Sequence, residues 1–200
     1  HGANRLGGNS LSDLIVFGKI AGEQAALRAA QIDNFEEINA TEIADVIDET
    51  LAPLNRENGE NPAKVVEDLR EMMQEKVGII RTGKLLEEAL DDLDKLESRA
   101  SITSPGGSRI YNPGWHQALE IGAMIDVSRM CALAALEREE SRGGHTRDDF
   151  PTPDYKHWGK INSVISIQLD GTMAIEHRKY PPIDSELKEL LDADDLHEED

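Results

Sequence analysis

Two hundred residues carry 40 Asp and Glu against 21 Lys and Arg, and the resulting net charge of −19 argues against a broad nucleic-acid surface or simple attachment to anionic lipid. A single cysteine excludes an internal disulfide framework and a cysteine-held zinc or iron–sulfur centre. No stretch approaches the roughly 18 uncharged apolar residues of a membrane span and no signal peptide is visible, so the expectation is a soluble, cytoplasmic chain of one domain or one and a half.

The chain opens on a glycine-punctuated loop, His1-Gly2-Ala3-Asn4-Arg5-Leu6-Gly7-Gly8-Asn9, and passes at Ser10 into an apolar helical pattern. Glycines let backbone N–H groups approach a ligand without side chains in the way. A helix start adds unpaired donors and a positive dipole end, which suit an anion or a developing negative charge. Ser10 is a good capping residue, and Asp13 three positions on adds an acid to the first turn. Arg5 carries a forked guanidinium able to hold a carboxylate by two parallel bonds. A bare structural turn would use the same residues. There is no initiator Met and the chain opens inside this motif, which reads as a piece of a longer protein.

Residues 10–31 read as one helix with a broad apolar face, on which Gly18 and Gly22 allow a neighbour to pack closely. A second helix is predicted from Thr41, as its cap, to Leu54. Asn61-Pro62 pairs a capping residue with proline at the first helical position, and apolar residues then recur at helical spacing from Val65 to Ile80. Arg81-Thr82-Gly83 interrupts the period, which resumes from Leu85 to Leu96 with Glu87, Glu88, Asp91, Asp92 and Asp94 on a solvated face. Asn112-Pro113 starts a further helix, apolar nearly all round until Leu136 and therefore expected at the centre of a bundle. Within it Cys131 reads as a buried, inert thiol, and His116 with Glu120 as a hydrogen-bonded surface pair rather than a metal site.

After residue 142 glycine, charge and Pro151 and Pro153 mark a long loop. Ile161–Leu169 alternates as a strand, Asp170-Gly171 is a hairpin turn, and Met173–Glu176 can return as the partner. From Asp184 to Asp200 nine acids face one lysine, a short helix fading into an acidic tail. The fold class is thus mainly α: a helical bundle, then a small β-hairpin element and the tail. The expected segments are 1–32 (loop plus helix), 33–142 (bundle), 143–183 (loop and β element) and 184–200 (tail). The densest polar cluster, Glu140-Ser141-Arg142-Gly143-Gly144-His145-Thr146-Arg147-Asp148-Asp149, offers a histidine for proton transfer and arginines for anions, or else a loop tied down by Arg–acid pairs.

HGANRLGGNSL followed by DLIVFG resembles the flavin- and substrate-binding segment of the flavoprotein subunit of succinate dehydrogenase and fumarate reductase. ESRGGHTRDDFP is similar to a later segment of the same family and of the related L-aspartate oxidase, and NPGWHQALEIGAMIDVSRMCALAALERE and VGIIRTGKLLEEAL resemble helices of its C-terminal bundle. The likeness covers most of residues 1–180; the His-Gly opening and the Gly7-Gly8 pair look more like the dehydrogenase and reductase than the oxidase.

The resemblance implies that Arg5 grips a substrate carboxylate and that Asn9, Ser10 and Leu11 lie at the flavin of FAD. It implies interconversion of succinate and fumarate, with electrons passed to an iron–sulfur subunit and on to quinone through a membrane-anchor subunit. The complex would then hold this chain peripherally on the cytoplasmic side of the membrane, with no nucleic-acid partner. The family's dinucleotide-binding fold, flavin-linking histidine, proton-shuttling arginine and other substrate histidine have no counterpart in these residues, so no catalytic group is assigned within them. His1 belongs to the HGANR motif and replaces none of those groups. Arg142, His145 and Arg147 are read as structural or interface residues, and the chain alone is expected to be inactive. L-Aspartate oxidase and a non-catalytic acidic helical interaction module are the alternatives.

Overall fold

The computed structural model describes residues 9–32, 37–185 and 187–188. Five helices lead the chain: α1 (Asn9–Ala29), α2 (Ala40–Asn55), α3 (Pro62–Lys76), α4 (Gly83–Ala100) and α5 (Pro113–Glu137). Two short strands, β1 (Ile80–Arg81) and β2 (Thr146–Arg147), pair in parallel, and β3 (Ile161–Ile167) and β4 (Met173–Lys179) form an antiparallel hairpin. Residues divide into two compact units, His1–Pro153 and Asp154–Asp200. The 140–152 loop stays with the helices.

Helix starts follow local chemistry. The Asn61 side chain accepts from Ala63 N–H at 3.0 Å with Pro62 in the first turn, and Asn112 accepts from Trp115 N–H at 3.1 Å ahead of Pro113. α2 starts earlier than the sequence suggests, because Asn39 rather than Thr41 is the cap, accepting from Thr41 N–H at 3.0 Å. α1 begins at Asn9, so Ser10 lies inside the first turn and Asp13 falls in the second. Asn112 also donates to the carbonyls of Gly106 and Ser108 at 2.7 and 2.9 Å, which closes the loop before α5. Asn112→Ala is expected to lower stability by about 1–2 kcal/mol. Asn112→Asp, which keeps the cap and loses both donors, should fall between wild type and alanine in urea unfolding.

The core is the seam of α3, α4 and α5. Val65, Val66 and Leu69 meet Leu86, Leu93 and Leu96 and the stripe Ile121, Ile125, Ala132 and Ala135. Each large aliphatic side chain buried there contributes about 1.5–3 kcal/mol. α2 adds to this bundle through Trp115, whose indole N–H donates to Thr50 O at 2.8 Å. α5 does touch three other helices, yet only one stripe of it is buried; Leu119 and Val127 face outward. Cys131 is on that outward side and is exposed, not buried: an apolar neighbourhood in sequence did not mean an apolar neighbourhood in space. His116 and Glu120 are likewise exposed, and no hydrogen bond joins them.

The acidic face of α4 is solvated and partly neutralised, with Lys76 reaching Asp92 at 2.8 Å and Glu88 at 3.3 Å, and Arg129 reaching Asp94 at 2.6 Å. In the second unit β3 ends at Ile167, and β4 runs three residues further than the alternation predicts. Gly171, at φ +83°, makes the turn, and the Asp170 carboxylate accepts from Thr172 N–H at 3.0 Å. Trp158 is buried in this unit, edge-on to the rings of His157 and His177. The acidic tail beyond Lys188 lies outside the described residues.

Candidate functional site

Of the residues read as ligand-binding, Arg5 lies outside the described residues. Asn9, Ser10 and Leu11 are the first three positions of α1, Ser10 half-buried and Leu11 exposed. No acid occupies the first turn and the basic residue Arg28 sits in the last, so the N-terminal end of this 21-residue helix keeps its positive character. Among the described residues nothing covers the apolar face of α1: Leu11, Leu14, Ile15 and Phe17 are each more than 60 % exposed, and a Cβ at Gly18 or Gly22 would meet nothing within 4 Å. An isolated helix gains its stability from such a face only when it is packed.

The 140–152 loop is built differently, around a buried arginine. Arg147 is 2 % exposed. Its Nη1 donates to Ala135 O and Leu136 O, both at 2.9 Å, and to Arg138 O at 3.3 Å, the orphan carbonyls at the end of α5. Its Nε and Nη2 span the two oxygens of Asp149 at 2.7 and 2.8 Å, and the guanidinium lies over the Phe150 ring at 5.0 Å. Asp149 in turn accepts from Gly83 N–H at 2.7 Å, at the start of α4, where Thr82 is the cap.

Helix dipoles explain the polarity of this pair. The last turn of α5 has no basic residue and the first turn of α4 has no acidic one. The loop supplies both from outside, a cation to the C-terminus of α5 and an anion to the N-terminus of α4. The Arg147 guanidinium, helped by Gly83 N–H, holds the Asp149 carboxyl well below the usual carboxylate range. A Cβ at Gly83 would come within 3.2 Å of both Arg147 Nη2 and Asp149 Oδ2, so a larger residue there would press on the ion pair.

The rest of the loop closes on itself. Glu140, fully buried, accepts from Arg138 and from Arg142, the latter at 3.0 Å. Gly143, at φ +64°, turns the chain so that Arg142 and His145 bridge. Ser141 accepts from Arg147 N–H at 2.8 Å, its hydroxyl set against Phe150 O at 2.8 Å. His145 is buried, with one ring nitrogen 2.9 Å from Arg81 Nη1 and the other 2.9 Å from Arg138 O.

Both imidazole nitrogens are therefore committed, which suits a structural role and leaves neither for general acid–base work. Arg81 is the contact of this loop that the sequence pattern does not disclose; its one signal is a lone arginine beside Ile79 and Ile80 at the break between helical periods. Among the described residues no group of three His, Cys, Asp or Glu side chains is placed to hold a metal, and no helix is long and apolar enough to cross a membrane.

The family model described as the fumarate reductase flavoprotein C-terminus matches residues 66–189, from the second turn of α3 through the hairpin. The fumarate reductase flavoprotein subunit of Escherichia coli K12 is 35% identical over 180 residues, which are 88% of this chain and 30% of that protein. The succinate dehydrogenase flavoprotein subunit of Coxiella burnetii is 38% identical over 167 residues, 80% of this chain and 27% of that protein. Among solved structures, Mycobacterium smegmatis Sdh1 in complex with UQ1 superposes with a TM-score of 0.84 at 38% identity, covering 91% of this chain and 31% of that one.

A quinol–fumarate reductase solved with menaquinol molecules gives 0.80 at 33% identity, over 92% of this chain and 32% of that one. An adenylylsulfate reductase from Archaeoglobus fulgidus, at 18% identity and a TM-score of 0.71 over 83% of this chain and 28% of that one, shares the fold alone. The chain spans about a third of the length of the relatives it matches. Bundle, 140–152 loop and hairpin thus correspond to their C-terminal part, and the chain belongs to the fumarate reductase and succinate dehydrogenase flavoprotein family.

Proposed function

We propose that these residues are the C-terminal part of an FAD-dependent flavoprotein subunit that interconverts succinate and fumarate and passes electrons to an iron–sulfur subunit and on to quinone. The observation that carries this reading is family membership, with relatives of both names at 35% and 38% identity. The uncovered apolar face of α1 supports it: such a face fits a helix that completes a larger flavin-binding body, which the remaining two-thirds of a flavoprotein would supply.

The donors present fit FAD. The first turn of α1 carries no acid and lies at the positive end of the helix dipole, which suits the electron-rich edge of a flavin ring. Asn9, Ser10 and Leu11 would hold that edge, and when bound FAD supplies hydride acceptance and donation. Arg5 would bind and orient one carboxylate of the dicarboxylate substrate, the second being held by groups outside these residues. Attachment to the cytoplasmic side of a membrane follows through the partner subunits rather than through any described helix.

Anaerobic flavin absorbance of the complete protein tests this directly. Bleaching by succinate and not by aspartate is the expected result. Bleaching by aspartate would move the protein to the L-aspartate oxidase branch. Absence of bound flavin would overturn the reading in favour of an acidic helical interaction module.

A further inference from the structure

His145 holds together three parts of the first unit that lie far apart in sequence. An arginine can only donate, so the ring nitrogen 2.9 Å from Arg81 Nη1, which is Nδ1, must accept. The proton then sits on Nε2 and is donated to Arg138 O at 2.9 Å, so both bonds together require the neutral imidazole. Arg81 is also the hub of the α3–α4 turn: its Nε reaches Gly78 O at 2.8 Å and Val77 O at 3.1 Å, while its own carbonyl accepts from Asp148 N–H at 2.9 Å.

The surroundings give an added proton no welcome. Arg81 from β1, Arg138 from beyond α5 and Arg147 from β2 all act on the ring as positive charges. Of the nearby acids, Glu140 is spanned by Arg138 and Arg142, and Asp149 by Arg147. Neither is bonded to the ring. The thiol of Cys131, on α5, lies within electrostatic reach of Arg81 rather than bonded to the imidazole. In a chain of net charge −19 this histidine faces cations.

We propose that His145 is an acid-sensitive latch: neutral, it ties Arg81 to the end of α5; protonated, it releases Arg81 and loosens the β1–β2 contact, and with it the hold of the 140–152 loop on α4. Burial first, and then the three guanidinium charges, push the imidazole below its ordinary value, against the opposing pull of the Arg138 carbonyl. With the folded value below the unfolded one, the open or unfolded chain takes up the proton first as pH falls. The stabilisation is therefore complete above about 6.5, the unperturbed histidine value, and is lost as pH drops below it, by up to about tenfold in the closed-to-open ratio per pH unit.

The test is amide hydrogen exchange of the segment containing Asp148 in the complete protein at pH 7.5 and 5.0, corrected for intrinsic rates. Wild type and His145→Gln are compared, because glutamine carries an acceptor and a donor but no titrating proton. Acceleration at pH 5.0 in wild type and its absence in the glutamine variant is the expected outcome. Equal acceleration in both, or none in wild type, overturns the proposal. Should the glutamine variant not fold, the wild-type His145 ring resonance decides. Titration at the ordinary histidine value without loss of Asp148 protection would overturn the latch. A ring neutral well below that value, with protection lost as it titrates, would support it.

Discussion

Arg147→Ala is expected to remove about 3 kcal/mol of stability, the lower end of what breaking a buried ion pair costs. The lower end applies because the Asp149 side chain is about one-third exposed and water can take over part of its solvation. Three terms add in the same direction. The carbonyls of Ala135, Leu136 and Arg138 lose their shared donor at the end of α5. Asp149 keeps only the Gly83 N–H among the partners described above and is left part-buried without its counter-charge. The space under Phe150 empties, with the packing loss that follows a large-to-small change.

Arg147→Lys should recover less than half, since an ammonium cannot span both carboxylate oxygens and the helix carbonyls at once. Urea unfolding checks this: the midpoint falls while the slope stays constant. A loss under 1 kcal/mol for alanine would mean that the two helix ends are held by their own packing.

The Arg147–Asp149 clamp on the two helix ends marks the limit of what the residues alone disclose. Asn61-Pro62, Asn112-Pro113 and Asp170-Gly171 each carry their instruction within a few residues, so two helix starts and the hairpin turn are legible without a structure. Asp149 acts on α4 from 66 positions away and Arg147 on the end of α5 from 9 to 12, and nothing within a local window says that a loop will cap two helices. The same reason hides the partnership of Arg81 with His145, 64 positions apart.

Cys131 shows the opposite error. Its apolar neighbours in sequence belong to different faces of α5, and burial follows the three-to-four spacing of Ile121, Ile125, Ser128, Ala132 and Ala135, which passes it by. The proposed ligand-binding end rests on another kind of signal, the wording of HGANRLGGNSL, because the glycine loop and helix start are generic until the exact residues are compared with a family. The helix starts one residue earlier than the pattern predicts, because Asn9 enters the helix itself.

On the proposed function, with Arg5 holding a substrate carboxylate, Arg5→Lys in the complete protein is expected to lower kcat/KM for succinate by about a hundredfold. A doubly hydrogen-bonded arginine–carboxylate contact at a buried site is worth about 2–5 kcal/mol, and each 1.4 kcal/mol is a factor of ten. Lysine keeps the charge, so attraction of the dianion survives; what it loses is the planar fork that fixes the carboxylate in one orientation. Orientation matters to hydride transfer because a misplaced methylene lies outside the near-attack geometry even when the substrate is bound. The loss should therefore fall on kcat as well as KM.

The contrast with the clamp makes the reading specific. Arg147→Ala should shift unfolding, with activity falling only as far as the folded fraction falls. Arg5→Lys should leave the urea midpoint in place while turnover drops. Steady-state kinetics with succinate and with fumarate, measured beside unfolding curves for both variants, separate the two roles. Unchanged kinetics in Arg5→Lys would remove Arg5 from the substrate site. A shifted midpoint with proportionate loss of activity would make it a structural residue of the glycine loop.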